Sequence, residues 1–145
     1  MPNRDTTRIL LVEDHEDSAF VTRIILERRG YSVRVAHQFH KAMALIAANR
    51  YDLLICDIML PDGTGWELIR RAKALWPVKA IALSALTSQE DIATSVRAGF
   101  ERHLTKPVSA TDLLNTVEEV LTNGAVNPGG NGANGKSKTS GIAPP

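Results

Sequence analysis

Asp57 closes a short apolar run, Leu53-Leu54-Ile55-Cys56, and is followed by Pro61 and the pair Asp62-Gly63. The run reads as a strand buried on both faces, and the proline and glycine mark a turn after it. An acid at the carboxyl end of a central strand stands where open α/β sheets place their chemistry; alternatively, Asp57 only caps the loop or the next helix. What decides between them is whether partners arrive at the same place. A second run, Arg8 to Val12, also ends in acid, Glu13-Asp14, with Glu16 and Asp17 beyond. Ser84 follows the run Val78 to Leu83, and Lys106-Pro107 follows Arg102 to Thr105. Carboxylates gathered this closely repel and raise one another's pKa unless a cation neutralises them. Two or three carboxylate oxygens, a loop carbonyl and waters are a ligand set that Mg²⁺ accepts, and Lys106 adds a second positive charge able to pair with Asp57. A carboxylate held between such cations is a nucleophile toward phosphorus, because both stabilise the phosphoryl oxygens in transit. Ser84 could donate to one of those oxygens. The chemistry suggested is an aspartyl phosphate on Asp57.

The elements that must position these groups alternate along the chain. Phe20, Val21, Ile24, Ile25 and Leu26 recur at helical spacing until Gly30, and Tyr31 to Ala36 alternates like a strand near a sheet edge. Ala42 to Ala48 predicts a second helix. Trp66, Leu68, Ile69 and Leu75 predict a third, which Pro77 ends. Ser88 with Asp91 three residues on reads as the start of a fourth, carrying Ile92, Ala93, Val96 and Ala98 up to Gly99. Ser109 or Thr111 starts the last, with Leu113, Leu114, Val117, Val120 and Leu121 on its apolar face. Five strands alternating with five helices predict a flavodoxin-like (βα)5 fold, a doubly wound parallel sheet in the order 2-1-3-4-5. That order makes strands one, three, four and five neighbours, so their carboxyl-end groups converge.

Bulk properties exclude several classes. The 145 residues support one domain, set at residues 7–122, after a polar leader (1–6) and before a low-complexity tail (123–145) expected to be disordered. A net charge of +1 leaves no electrostatic footprint for nucleic acid and no polybasic membrane segment. No apolar run spans a bilayer, and the N-terminus has no signal-peptide core. Cys56, the single cysteine, excludes an internal disulfide; it is a buried small hydrophobe or, alternatively, a reactive thiol. A soluble, cytoplasmic protein fits these properties.

The ordered set Glu13-Asp14, Asp57 with Pro61 and Gly65, Ser84-Ala85 and Lys106-Pro107 resembles the receiver domain of bacterial two-component response regulators, over roughly residues 7 to 122. The resemblance implies that Asp57 is the phosphoacceptor. It implies Mg²⁺ (or Mn²⁺) held by Asp14, Asp57 and the Met59 backbone carbonyl, with Glu13 acting through water. Ser84 becomes the switch hydroxyl, Lys106 the phosphoryl contact, and the Lys106–Pro107 bond cis. The implied partners are a histidine kinase or histidine phosphotransfer protein and a downstream protein. They would be read through the face formed by the fourth helix, fifth strand and fifth helix, with a phosphorylation-dependent dimer as a further expectation. The protein is expected to catalyse only its own phosphorylation and dephosphorylation.

His103 departs from the Tyr or Phe common at the family's strand-five switch position; it is either a swinging switch whose charge varies near neutral pH or a static surface residue. Met59 and Leu86 occupy the two positions that tune phosphoryl loss in the family, and neither side chain can orient a water, so a long-lived aspartyl phosphate is expected. Thr64 reads as a plain loop residue, and His15, His37 and His40 as surface or turn residues without metal-site spacing. Nothing after Leu121 reads as a DNA-binding module, so output through proteins is expected; the alternatives are a detached receiver of a hybrid histidine kinase, passing the phosphoryl group onward, and the N-terminal part of a longer regulator. An aspartate-nucleophile phosphatase of the haloacid-dehalogenase type would need an acid where Met59 stands. A flavodoxin-like cofactor binder would need a phosphate loop where Glu13-Asp14-His15-Glu16-Asp17 would repel one.

Overall fold

The computed structural model describes residues 7–123. The leader and almost all of the predicted tail lie outside those residues. Five parallel strands form one sheet: β1 (Arg8–Val12), β2 (Ser32–Ala36), β3 (Leu53–Asp57), β4 (Lys79–Ser84) and β5 (Arg102–Thr105), in the order β2-β1-β3-β4-β5. Five helices connect and follow them: α1 (Glu16–Arg28), α2 (Phe39–Ala48), α3 (Gly65–Leu75), α4 (Gln89–Ala98) and α5 (Ala110–Asn123). The flavodoxin-like order is therefore the one predicted, and the last helix runs one residue past the predicted domain edge.

The sheet is sandwiched because alternate strand side chains enter opposite cores. Ile9, Leu11, Leu53, Ile55, Ile81 and Leu83 pack with Ala19 and Leu26 of α1 and Leu113, Val117 and Val120 of α5. Leu10, Val12, Leu54, Cys56, Ala80 and Ala82 pack with residues of α2, α3 and α4, such as Ile46, Leu68 and Ile69. β3 is buried along its whole length, Asp57 included. Each fully buried leucine or isoleucine contributes roughly 2 kcal/mol of apolar transfer, so the strands beneath the site form a stiff platform.

Helix ends follow local chemistry. Ser88 accepts from Asp91 N at 3.0 Å and starts α4 as predicted, and Gly99 ends it at φ 120°, a conformation that side chains resist. Ser109, rather than Thr111, caps α5 by accepting from Asp112 N at 3.0 Å. The predicted apolar stripe on α1 is only partly used: Phe20, Val21 and Ile24 are exposed, and so is Val96 on α4. On both helices the sheet is met instead by small residues, Ala19 on one and Ser95 with Ala98 on the other, beside Leu26.

Candidate functional site

β1, β3 and β5 deliver their terminal residues to one edge of the sheet. Glu13 is 3% exposed and Asp57 9%, whereas Asp14 is exposed. Carboxylate oxygens of all three lie within 4.8 Å of one another. Lys106 reaches over from the end of β5, and its Nζ donates to Glu13 Oε1 at 2.6 Å and to Asp57 Oδ2 at 2.9 Å. The Lys106–Pro107 peptide is cis, as the resemblance implied.

The electrostatics follow from this bridging. Burial raises the Glu13 carboxyl above its ordinary value, and Asp57 adds to that, although Lys106 and the His15 amide pull the other way. Burial works against the Lys106 charge, but the hydrogen bonds and charges of Glu13 and Asp57 outweigh it and raise the ammonium above its ordinary value. Lys106 therefore stays charged throughout the neutral range. Burial, then Asp57 and Glu13, push the Cys56 thiol far up, and its Sγ donates to the Asp57 carbonyl at 3.1 Å. Cys56 is a buried hydrophobe, not a reactive thiol.

The cluster suits a hard divalent cation. Its donors are all oxygens, and Asp14 is open to solvent. Among the described residues, Asp57 Oδ1 accepts a hydrogen bond only from the Met59 amide, at 3.3 Å. Both oxygens of Glu13 are already bonded, one to Lys106 and one to His15 N at 3.1 Å, which suits a role through water better than direct ligation.

The other predicted residues fall close by but in unforeseen company. Ser84 is fully buried, and its Oγ accepts from Leu86 N at 3.0 Å; no hydrogen bond joins it to Asp57 among the described residues. His103 is half-buried rather than a surface residue. Its Nε2 lies 3.1 Å from Leu86 O and its Nδ1 2.8 Å from Ser95 Oγ. A carbonyl only accepts, so Nε2 carries the proton in the neutral ring, and Nδ1 is left to accept from the Ser95 hydroxyl. Ser95, wholly buried, in turn accepts from Trp66 Nε1 at 2.9 Å.

A hydrogen-bonded path thus runs from Ser84 through Leu86, His103 and Ser95 to Trp66. The sequence marks Trp66 only as part of the third helix, and nothing in it marks Ser95. Thr64 is not a plain loop residue either: it caps α3, accepting from Glu67 N at 3.2 Å. His15 caps α1 through its ring, and His37 Nδ1 donates to the Glu13 carbonyl at 2.8 Å, steadying the end of β1. No local pattern marks such a contact across two strands.

The family profile described as the response regulator receiver domain matches residues 9–118. The chain belongs to the response regulator receiver domain family. An uncharacterised 14.6 kDa protein of Leptolyngbya boryana is 36% identical over 114 residues, 77% of this chain and 87% of that protein. The transcriptional regulatory protein RprY of Bacteroides fragilis is 34% identical over 117 residues, 79% of this chain but 49% of the regulator. The receiver spans about half the length of several curated relatives of this kind. Among solved structures, a CheY-like receiver domain protein from Methanospirillum hungatei aligns with TM-score 0.77 and 36% identity over 80% of this chain and 94% of that one. A Burkholderia pseudomallei response regulator, solved with a phosphorylated aspartic acid, a calcium ion and citrate, aligns with TM-score 0.71 and 28% identity over 83% and 77%. No helix among the described residues of the receiver is long and apolar enough to cross a membrane.

Proposed function

We propose that this receiver is a phosphoacceptor in a cytoplasmic two-component phosphorelay, with Asp57 taking a phosphoryl group from a phosphohistidine on a kinase or phosphotransfer protein. The observation that carries this reading is the Lys106 ammonium shared between Glu13 and Asp57 beside the open Asp14. An Asp57 carboxylate oxygen attacks phosphorus, the P–O bond forms as the P–N bond of the donor breaks, and the departing imidazole takes up a proton. Lys106 turns from the carboxylate pair toward the incoming phosphoryl oxygens and offsets their charge. Asp14, Asp57 and the Met59 carbonyl would hold Mg²⁺ or Mn²⁺, with Glu13 acting through water; the bound ion supplies further neutralisation of the phosphoryl oxygens. The phosphorylated aspartate with a calcium ion in the Burkholderia relative supports this assignment.

The switch follows the path already described. A phosphoryl group on Asp57 gives the Ser84 hydroxyl an acceptor. Movement of Ser84 draws on the Leu86 amide, and the Leu86 carbonyl is held by His103 Nε2. The α4, β5 and α5 face is thereby altered for a downstream protein or a second copy. The protein catalyses only its own phosphorylation and dephosphorylation.

The experiment is intact mass after incubation with a small-molecule phosphodonor and Mg²⁺, with Asp57→Asn and an EDTA-treated sample as controls. A single labile adduct on the wild type alone is expected; no adduct and no Mg²⁺ binding would sink the assignment. The lifetime of the adduct is a separate prediction. Met59 is 57% exposed and Leu86 half-buried, and neither side chain can align a water for attack. Met59→Asn should shorten the half-life about tenfold, the effect of one transition-state hydrogen bond of about 1.4 kcal/mol. An unchanged half-life would count against that account of the slow decay.

A further inference from the structure

The tip of the loop between β3 and α3 is fastened by Asp62, a side chain that takes no part in the acidic cluster. Asp62 Oδ1 accepts from Phe39 N at 2.6 Å, while Oδ2 accepts from His40 N at 3.0 Å and from the His40 ring at Nδ1. Phe39 and His40 open α2, where backbone N–H groups have no partner within the helix. Gln38, the residue at the cap position, makes no side-chain capping bond. Asp62 therefore caps α2 from a different part of the chain. Desolvation opposes its charge, but the His40 and Phe39 amides and the His40 ring hold the carboxyl down at about 2.

The other end of the same loop touches the phosphoacceptor. The Met59 amide donates to Asp57 Oδ1 at 3.3 Å, and Gly65 N donates to Ile58 O at 2.7 Å. Between these ends Met59 pairs with Thr64, and Leu60 with Gly63, in a small antiparallel hairpin. Gly63 lies so close to Phe39 that a Cβ there would stand 2.6 Å from the ring. The hairpin is thus held at its base by Asp57 and at its tip by α2, with little slack between.

We propose that Asp62 is a positioning residue: by tying the hairpin tip to the start of α2, it holds the Met59 peptide against the Asp57 carboxylate in the geometry that a divalent cation requires. This rests on reading the acidic cluster as a cation-dependent phosphoacceptor site. The hairpin cannot be tethered as firmly by its backbone pairs alone, since two residues on each side make a short ladder.

The test separates positioning from helix capping. Mg²⁺ is titrated calorimetrically into the wild type, Asp62→Ala, and Asp62→Ala combined with Gln38→Ser, which restores a cap from within α2. Affinities are read far below every melting temperature, with each variant shown to be folded by circular dichroism; melting is recorded separately without metal. Asp62→Ala should weaken Mg²⁺ binding about tenfold, the low end for losing a group that orients ligands. It should also lower the melting temperature. Gln38→Ser should recover melting temperature and leave the affinity weak. Wild-type affinity in Asp62→Ala, or affinity that returns together with stability, would overturn the proposal. A wild type that binds no Mg²⁺ would overturn the phosphoacceptor reading itself, a different result.

Discussion

Lys106→Met should cost about 2 kcal/mol of stability at neutral pH and abolish phosphoryl uptake. Removing one partner of a buried ion pair typically costs about 3–5 kcal/mol, because the other charge is left uncompensated; the figure is lower here because the lysine side chain is 28% exposed. Glu13, already raised by burial, would be pushed higher once its strongest opposing influence is gone. A carboxyl whose folded pKa is raised favours folding below its ordinary value, 4.5, and loses that advantage as pH rises through the folded value. The deficit of the variant relative to wild type should therefore be largest at neutral pH and shrink toward pH 4.5. Urea denaturation at a series of pH values reads this directly, and a deficit independent of pH would contradict it. Adding Glu13→Gln should return most of the lost stability without restoring phosphorylation, since the two sites are in contact and couple non-additively.

Gly65→Ala is the other substitution with a large expected effect, and it acts through the backbone alone. A Cβ at Gly65 would stand 2.6 Å from the Asp57 carbonyl oxygen, 3.1 Å from Ile58 Cα and 3.2 Å from Cys56 Sγ. The nearest atom is main chain of a fully buried strand, so no side chain can swing aside. Either α3 retreats or the end of β3 moves. We expect a loss of about 3 kcal/mol, at the upper part of the range for overpacking, with much slower phosphorylation as Asp57 is displaced. Gly63→Ala is the instructive contrast: its equally short contacts are all to the Phe39 side chain, from the ring at 2.6 Å back to Cβ at 3.1 Å, so relief takes a shift of Phe39 at the start of α2 rather than of the buried strand end, and a smaller loss is expected. Equal losses for the two glycines would mean that the strand end yields as readily as a side chain.

The chain order of chemistry and structure is legible in the amino-acid sequence. Apolar runs ending in Glu13-Asp14, Asp57, Ser84 and Thr105-Lys106 alternate with helical stretches, and a parallel sheet has one way to bring their ends together. The acidic cluster, the pairing of Lys106 with Asp57 and the buried state of Cys56 all follow from that alternation. Helix faces were less legible: Phe20, Val21 and Ile24 have the spacing of a core stripe, yet the space under α1 admits Ala19 and Leu26 instead. Spacing reports which residues share a face, but not how close the helix lies to the sheet.

Contacts between residues far apart in sequence, whose types are unremarkable one by one, arise from the packing of the folded domain. Lys106 divides itself between two carboxylates because burial makes an unpaired Glu13 costly. His103 is held on both nitrogens because the α4 packing places Ser95, itself bonded to Trp66, beside β5. Asp62 caps a helix to which it is not adjacent because the hairpin after β3 folds back over the start of α2. Sequence determines which groups stand at the end of each strand, since period and chain order are local properties. It leaves open which donor meets which acceptor, because that depends on distances of a few tenths of an ångström set by the packing of the whole domain.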